Sequence, residues 1–363
     1  MIVLGIETSC DETSAAIVAD GRRVFSSVVS SQFDLHRSHG GVVPELAARR
    51  HVTSIVPVVQ EAIAEAGIER DDIDAIAVTQ GPGLAGSLVV GVNAAKAMAY
   101  AMGRPLVAVN HLEAHIYANW LAMPGEDAPE PQFPVLCLLV SGGHTELILM
   151  QRHGVFQHLG RTLDDAAGEA FDKGARLLGL GFPGGPAVQR AASSGRADAF
   201  DLPRAWLPGT HDFSFSGLKT ALLRLSEPLR LPEDDAPPTL APGTAFREHR
   251  PPRFAEDAPI ADLAAAFQDA IVEPLAVKTA QAAVETGAQT VVLAGGVAAN
   301  SALRERLQRE VAQRAGPEVT VAFPAFTFCT DNAAMVAGAA AWVVRRGNQS
   351  GWEMDVHPRL ALV

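Results

Sequence analysis

The sequence predicts an α/β protein of two lobes, each built on a mixed sheet and each opened by a β-hairpin. Three observations predict it. The apolar run Met1 to Ile6 meets the polar turn Glu7 to Ser14 and returns as Ala15 to Val18, a strand, turn, strand pattern. The same grammar recurs where Val135 to Val140, Ser141 to Glu146 and Leu147 to Met150 follow one another, so a structural repeat opens a second lobe. With 363 residues, 48% of them hydrophobic, the chain also has apolar material for two cores.

After the first hairpin, a helix is expected from Pro44 to Ala66, broken by Gly67, and then a strand from Ile73 to Thr79. Gln80 to Ser87 follows that strand and opens a helix to Met102. Gly81, Gly83 and Gly86 there satisfy a dinucleotide-binding spacing, yet the acid expected after the next strand is missing, because Leu106 to Val109 runs straight into Asn110. A tight turn with close helix packing is the expected use of these glycines. Asn110 is a good N-cap, and a helix starting there puts His111 and His115 on one face, with Cβ atoms roughly 5–6 Å apart. Two such imidazoles can share a metal ion. The spacing alone is weak support in a chain with 11 His. Glu113 does not follow the first His directly, as a zinc-protease helix requires.

Met123 to Pro134 carries four prolines and three acids and suits a crossover between lobes. The expected organisation is a first lobe over 1–123, a linker over 124–134, a second lobe over 135–330 and a tail over 347–363, with helix 331–346 closing the first lobe. In the second lobe, Asp164 to Gly179 reads as a helix and Phe182 to Pro186 as a rigid loop. Phe213 to Thr220 leads into a further helix. Glu227 to Pro259, with eight prolines, reads as a surface excursion. Helical periodicity runs from Ile260 to about Glu285, the strand Thr290 to Ala294 follows, and Gly295 to Asn300 turns into a helix from Ser301 to Gln313. A glycine turn feeding a helix start offers N–H groups to an anion. Val319 to Phe323 reads as a strand, Cys329 to Asn332 as a polar loop, and Ala333 to Arg345 as the closing helix.

The net charge of −12 and pI near 5.4 argue against nucleic-acid binding by overall electrostatics and leave only local basic clusters, such as Arg49 to His51 and Arg304 to Arg314. Cys10, Cys137 and Cys329 are far apart, lack a C-x-x-C pair and read as buried thiols in a reducing compartment. No basic leader precedes Glu7, and no apolar run is long enough to span a membrane, so a soluble cytosolic protein without membrane contacts is expected.

Glycine-rich turns after strands, in hairpins that open separate lobes, are the organisation of the actin, Hsp70 and sugar-kinase superfamily (ASKHA, RNase H-like). Within it, Glu7 to Thr13, Gly40 to Arg50, Asn110 to His115, Val140 to Glu146, Phe171 to Ala175, Phe182 to Pro186, Phe213 to Thr220, Gly295 to Asn300 and Cys329 to Asn332 together resemble the TsaD family of tRNA N6-adenosine threonylcarbamoyltransferases. The match runs from Ile2 to about Arg345. The resemblance implies transfer of the threonylcarbamoyl group of threonylcarbamoyl-adenylate to the adenosine just 3′ of the anticodon in tRNAs reading ANN codons, releasing AMP. It implies one divalent metal per subunit, Fe(2+) or Zn(2+), on His111, His115 and Asp331. It also implies a substrate loop over Leu139, Val140, Ser141, Gly142 and Gly143, with adenylate contacts at Asp172, Gly185 and Asn300. In a bacterial source the implied partners are a degenerate paralogue, TsaB, and a small P-loop ATPase, TsaE. Many family members carry Asp where this chain has Gln189.

Each assignment has a plainer counterpart. Asp172 could be a solvated helix residue, while Asn300 and Asp331 could be helix N-caps. Asp11 and Glu12 sit in the first hairpin turn, where carboxylates near a phosphate repel it unless a metal or proton intervenes; they are the candidate catalytic acids. Lys219 and His39 could contact phosphate or simply sit on the surface. An ATPase or chaperone-like nucleotide-binding protein of the same superfamily would share the turns but has no use for the histidine pair, and a metalloprotease would have no use for the turns.

Overall fold

The computed structural model describes residues 1–37, 41–232 and 251–363. Its first half runs β1 (Ile2–Glu7), β2 (Glu12–Ala19), β3 (Arg23–Ser31), α1 (Phe33–Arg37), α2 (Pro44–Ala66), β4 (Ala75–Gly81), α3 (Ala85–Met102), β5 (Leu106–Asn110) and α4 (His111–Tyr117). Its second runs β6 (Val135–Val140), β7 (Thr145–Arg152), β8 (Val155–Arg161), α5 (Ala167–Leu177), α6 (Gly184–Ala192), α7 (Ser216–Ser226), α8 (Ile260–Thr286), β9 (Thr290–Ala294), α9 (Ser301–Arg314), β10 (Thr320–Ala322) and α10 (Ala333–Arg345).

The two sheets repeat one topology. Strand order is β3-β2-β1-β4-β5 in one and, from the corresponding edge, β8-β7-β6-β9-β10 in the other. In each, the first two pairings are antiparallel and the last two parallel. The fold is therefore the two-lobed mixed-sheet α/β architecture of actin and sugar kinases. α2 and α3 cover one face of the first sheet, with Ile55, Val59, Val92 and Ala95 against Leu4, Ile17 and Ile76. Helices of the second half cover the far face of the second sheet. Between the sheets a third core joins Val3 and Val109 of one to Cys137 and Val292 of the other, through α4 and α10. All of α4 and Ala333 to Ala341 of α10 are buried, because these middle helices meet protein on nearly every side.

Several local expectations change. The helix expected from Asp164 begins at Ala167, because Asp164 accepts hydrogen bonds from the Ser214 and Ser216 hydroxyls and the Phe215 amide and so serves the loop ahead of α7. Gly184-Gly185-Pro186 is the first turn of α6, where proline needs no amide partner, and so is not a loop. The third strands β3 and β8 lack a continuous apolar run, since each has one largely exposed face. Of the glycine turn after β4, only Gly86 abuts a helix, at Ala48; Gly81 makes room for the His357 carbonyl and Gly83 for Ser9. The Pro-rich stretch is tied at its ends by a bridge between Arg230 and Phe254, while its 233–250 portion, like His39, lies outside the described residues.

Candidate active site

The N-termini of α4 and α10 meet in the middle layer. Asn110 caps α4 by accepting the Leu112 and Glu113 amides at 2.8 and 3.4 Å, which fixes His111 and His115 in the first two turns. Their rings stand 4.6 Å apart at 80°. At α10 the capping is done by Asn332, which accepts the Met335 amide, so the preceding Asp331 is free to turn to the histidines. Asp331 Oδ1 lies 3.2 Å from His115 Nε2 and 3.6 Å from His111 Nε2. Ligand atoms from all three residues fall within 4.8 Å of one another.

A buried carboxylate supports this cluster. Glu7, at the end of β1, receives His111 Nδ1–H at 3.0 Å, the Thr79 hydroxyl at 2.6 Å and the Ser9 amide. Holding Nδ1 as the donor leaves His111 Nε2 as a ligand aimed at Asp331, the usual outer-shell arrangement of a metal-bound imidazole. Burial works against a charged His111, but the Asp331 and Glu7 carboxylates outweigh it and push the ring up to about 9. Burial likewise opposes ionisation of Asp331, and the His111 charge and His115 hydrogen bond outweigh it, down to about 2. Burial lowers His115, whose Nδ1 has no partner among the described residues. Two imidazoles and a carboxylate, converging in a water-poor layer, fit a divalent metal. Glu113 points away and pairs with Arg346 at 3.0 Å, so it is no base for this cluster.

Glu12, expected in the first hairpin turn, is instead the first residue of β2, paired with Ser31 of β3. Burial, then Asp331 and Asp11, push its carboxyl up to about 9, so it keeps a proton at neutral pH. Asp11 is half-buried beside it. Burial and Asp11 also raise the half-buried Cys10 thiol, while Cys137 and Cys329 are buried, which leaves no activated thiolate.

On the second-lobe side a cavity of about 290 Å³ is lined by Gly142, Asp172, Gly185, Gln189, Asn300 and Thr330, the last adjoining Asp331. Leu139 and Val140 are core residues of β6 with no exposure and do not line this cavity. Ser141 is turned inward, its hydroxyl accepting the His144 amide. Gly142 and Gly143 are open, with nothing within 4 Å of a built Cβ. Asp172 is not a free surface residue: its Oδ1 accepts the Gly184 amide at 2.7 Å and burial raises its carboxyl. Asn300 caps α9 through the Leu303 amide while lining the cavity. Gln189 accepts the Ser301 amide at 2.9 Å and so ties α6 to α9. Lys219 pairs with Asp165 at 3.4 Å, away from these groups. The basic clusters are largely neutralised: His51 is buried on Thr13 and the Cys10 carbonyl, and Arg306 and Arg314 are bound to Glu310.

Sequence reasoning missed Glu7 as the support of His111 and His144 as a neighbour of the histidine pair. The signal for Glu7 was an acid ending a wholly apolar strand, a position that burial forces to find partners.

A family model described as tRNA N6-adenosine threonylcarbamoyltransferase, TsaD, matches residues 23–338. Proteins of that name from Thermomicrobium roseum, Dehalococcoides mccartyi and Bacillus subtilis are 62%, 51% and 48% identical to this chain. Each alignment covers 100% of this chain and 97%, 99% and 96% of the relative. Among solved structures, HypF from T. kodakarensis superposes with a TM-score of 0.58 at 16% identity, over 95% of this chain and 48% of that one, a likeness of fold alone.

Proposed function

The chain belongs to the TsaD family of tRNA N6-adenosine threonylcarbamoyltransferases, and from that membership we infer its reaction. The exocyclic amine of the adenosine 3′ of the anticodon bonds the carbamoyl carbon of threonylcarbamoyl-adenylate. The bond from that carbon to the phosphate oxygen breaks, AMP leaves with the electron pair, and the amine gives up one proton. An aromatic amine is a weak nucleophile, so the carbonyl must be polarised and the partners held in line.

The observation that carries the reading is the position of His111, His115 and Asp331 beside a nucleotide-sized cavity, with Thr330 on its wall. In this proposal those three residues would hold a divalent metal, iron or zinc, and when bound it would supply Lewis acidity for the donor carbonyl. Gly142 and Gly143 present backbone N–H groups to the donor phosphate, where glycine permits close approach. Asp172 keeps one carboxylate oxygen for ribose hydroxyls while the other pins α6. Glu12 holds a proton on its carboxyl, kept there by burial and by the Asp331 and Asp11 charges, and donates a hydrogen bond to the charge that develops on the carbonyl oxygen. TsaB-like and TsaE-like partners and a cytoplasmic setting belong to the same proposal, consistent with the absence, among the described residues, of any helix long and apolar enough to cross a membrane. Incubating the metal-loaded chain with threonylcarbamoyl-adenylate, unmodified tRNA and its partners should give modified tRNA and AMP in equal amounts. No product from such a mixture overturns the reading.

A further inference from the structure

The histidine cluster can be approached from a second direction. A cleft of about 850 Å³ lies between the β7–β8 strands and the segment Pro358 to Val363, and it shares no lining residue with the nucleotide-sized cavity. The turn after β6 divides them, with Gly142 on the wall of one and His144 on the wall of the other. The buried end of the cleft is Leu112, next to His111, together with His144, which feels the charges of both histidines. Its exposed end carries His158, Arg161 and Arg359.

The two acids of this cleft are already held, Glu146 by His158 Nε2 at 3.5 Å and Asp212 by the Arg161 amide at 2.9 Å. The Arg161 guanidinium acts on Glu146 through its charge, and neither it nor that of Arg359 is hydrogen-bonded to a described residue. The outer wall is anchored where it matters. Ala361 carbonyl accepts Asn110 Nδ2 at 3.0 Å, Pro358 carbonyl accepts the Gly83 amide at 3.2 Å, and the His357 amide reaches the Gln80 carbonyl at 2.9 Å. The residue that caps the metal-ligand helix thus also fastens the wall of the cleft.

A transfer between two substrates needs two approaches to one centre, and the nucleotide-sized cavity accounts for only the donor. We propose that the larger cleft receives the acceptor RNA, with phosphates of its single-stranded loop on Arg161 and Arg359 and the target base passing Leu112 and His144 toward the histidine cluster. This rests on the transferase reading. It also gives an acidic chain two exposed guanidinium groups at one mouth, within reach of backbone phosphates.

The test compares wild type with the double variants Arg161→Gln/Arg359→Gln and Arg161→Lys/Arg359→Lys, all metal-loaded and with partners present. In transfer assays the glutamine pair should raise the KM for tRNA about 10–100-fold and make the plot of log kcat/KM against log salt shallower by about 1.4, two phosphates on a single strand. The KM for the adenylate should not move, and the lysine pair should restore the slope. A glutamine pair that transfers with wild-type tRNA KM and slope overturns the proposal, as does a loss that falls on the adenylate instead. Anisotropy of a labelled anticodon stem-loop, titrated in parallel across salt, separates the two readings. Absence of transfer by wild type counts against the transferase, while an unchanged binding slope in the glutamine pair counts against the cleft.

Discussion

Proton position decides what the buried acids and imidazoles can do. His111, pushed up to about 9 by Asp331 and Glu7, is protonated at neutral pH before metal arrives, and a metal needs its neutral Nε2. The sign follows directly: below that value each metal bound releases a proton, and above it none. Metal affinity should therefore rise about tenfold per pH unit toward alkaline pH and then level off. Calorimetry at neutral pH in two buffers of different ionisation enthalpy should show about one proton released per metal. Equal heats in both buffers would mean that His111 is neutral beforehand. Glu12 makes the complementary case. If it acts as a protonated donor, Glu12→Gln keeps a donor and most of the turnover, whereas Glu12→Ala loses about 10²–10³-fold in kcat. A glutamine variant as slow as the alanine one would assign Glu12 to proton transfer instead. Both residues stood out in the sequence through their spacing or their turn, but Glu7 did not, because its partners Thr79 and His111 are brought to it only by the parallel pairing of β1 with β4 and of β4 with β5.

Secondary structure was legible where the chain writes its own ends. α2 stops at Gly67 and α3 at Gly103, both left-handed, and Asn110 caps α4, all from residue types that fix local backbone. It was not legible where a side chain is taken by a distant segment. Asp164 looks like a helix-opening acid but is claimed by Ser214 and Ser216, some fifty residues on, so α5 starts later. The start of α6 is a similar case with a consequence. Gly184 lies so close to α5 that a Cβ there would sit 2.4 Å from Asp172 Cα and 2.5 Å from the Phe171 carbonyl oxygen. Gly184→Ala must push α6 away, break the Gly184 amide bond to Asp172 and widen the nucleotide-sized cavity. The expected cost is about 1–3 kcal/mol in denaturant unfolding. Adenylate affinity should fall with it, because Asp172 loses its orientation. A variant with wild-type stability would show that α5 and α6 can separate freely.

For the whole molecule, the far end of the chain completes the site at its beginning. α10 lies in the middle layer, with Ala333 to Ala341 buried, and its first turn follows the Asp331 that faces His111 and His115. Gly5 exists for this contact, since a Cβ there would lie 2.3 Å from the Ala333 carbonyl oxygen. The Ala-rich apolar run from Ala333 to Val344 reads as a buried helix in the sequence, but not as one between two sheets, because no local signal says which faces a helix covers. One helix then does three things: it closes the first sheet, it contributes to the core shared with the second, and it delivers a carboxylate. A chain cut after residue 330 should therefore lose more than a ligand. It leaves apolar faces of both sheets open to water, and it should bind a hydrophobic dye, melt without a cooperative transition and hold no metal. A chain cut after residue 346 keeps α10 and should melt cooperatively with metal bound. Cooperative melting of the shorter chain, seen by calorimetry, would mean that each sheet is stabilised by its outer helices alone and that α10 serves only to carry Asp331.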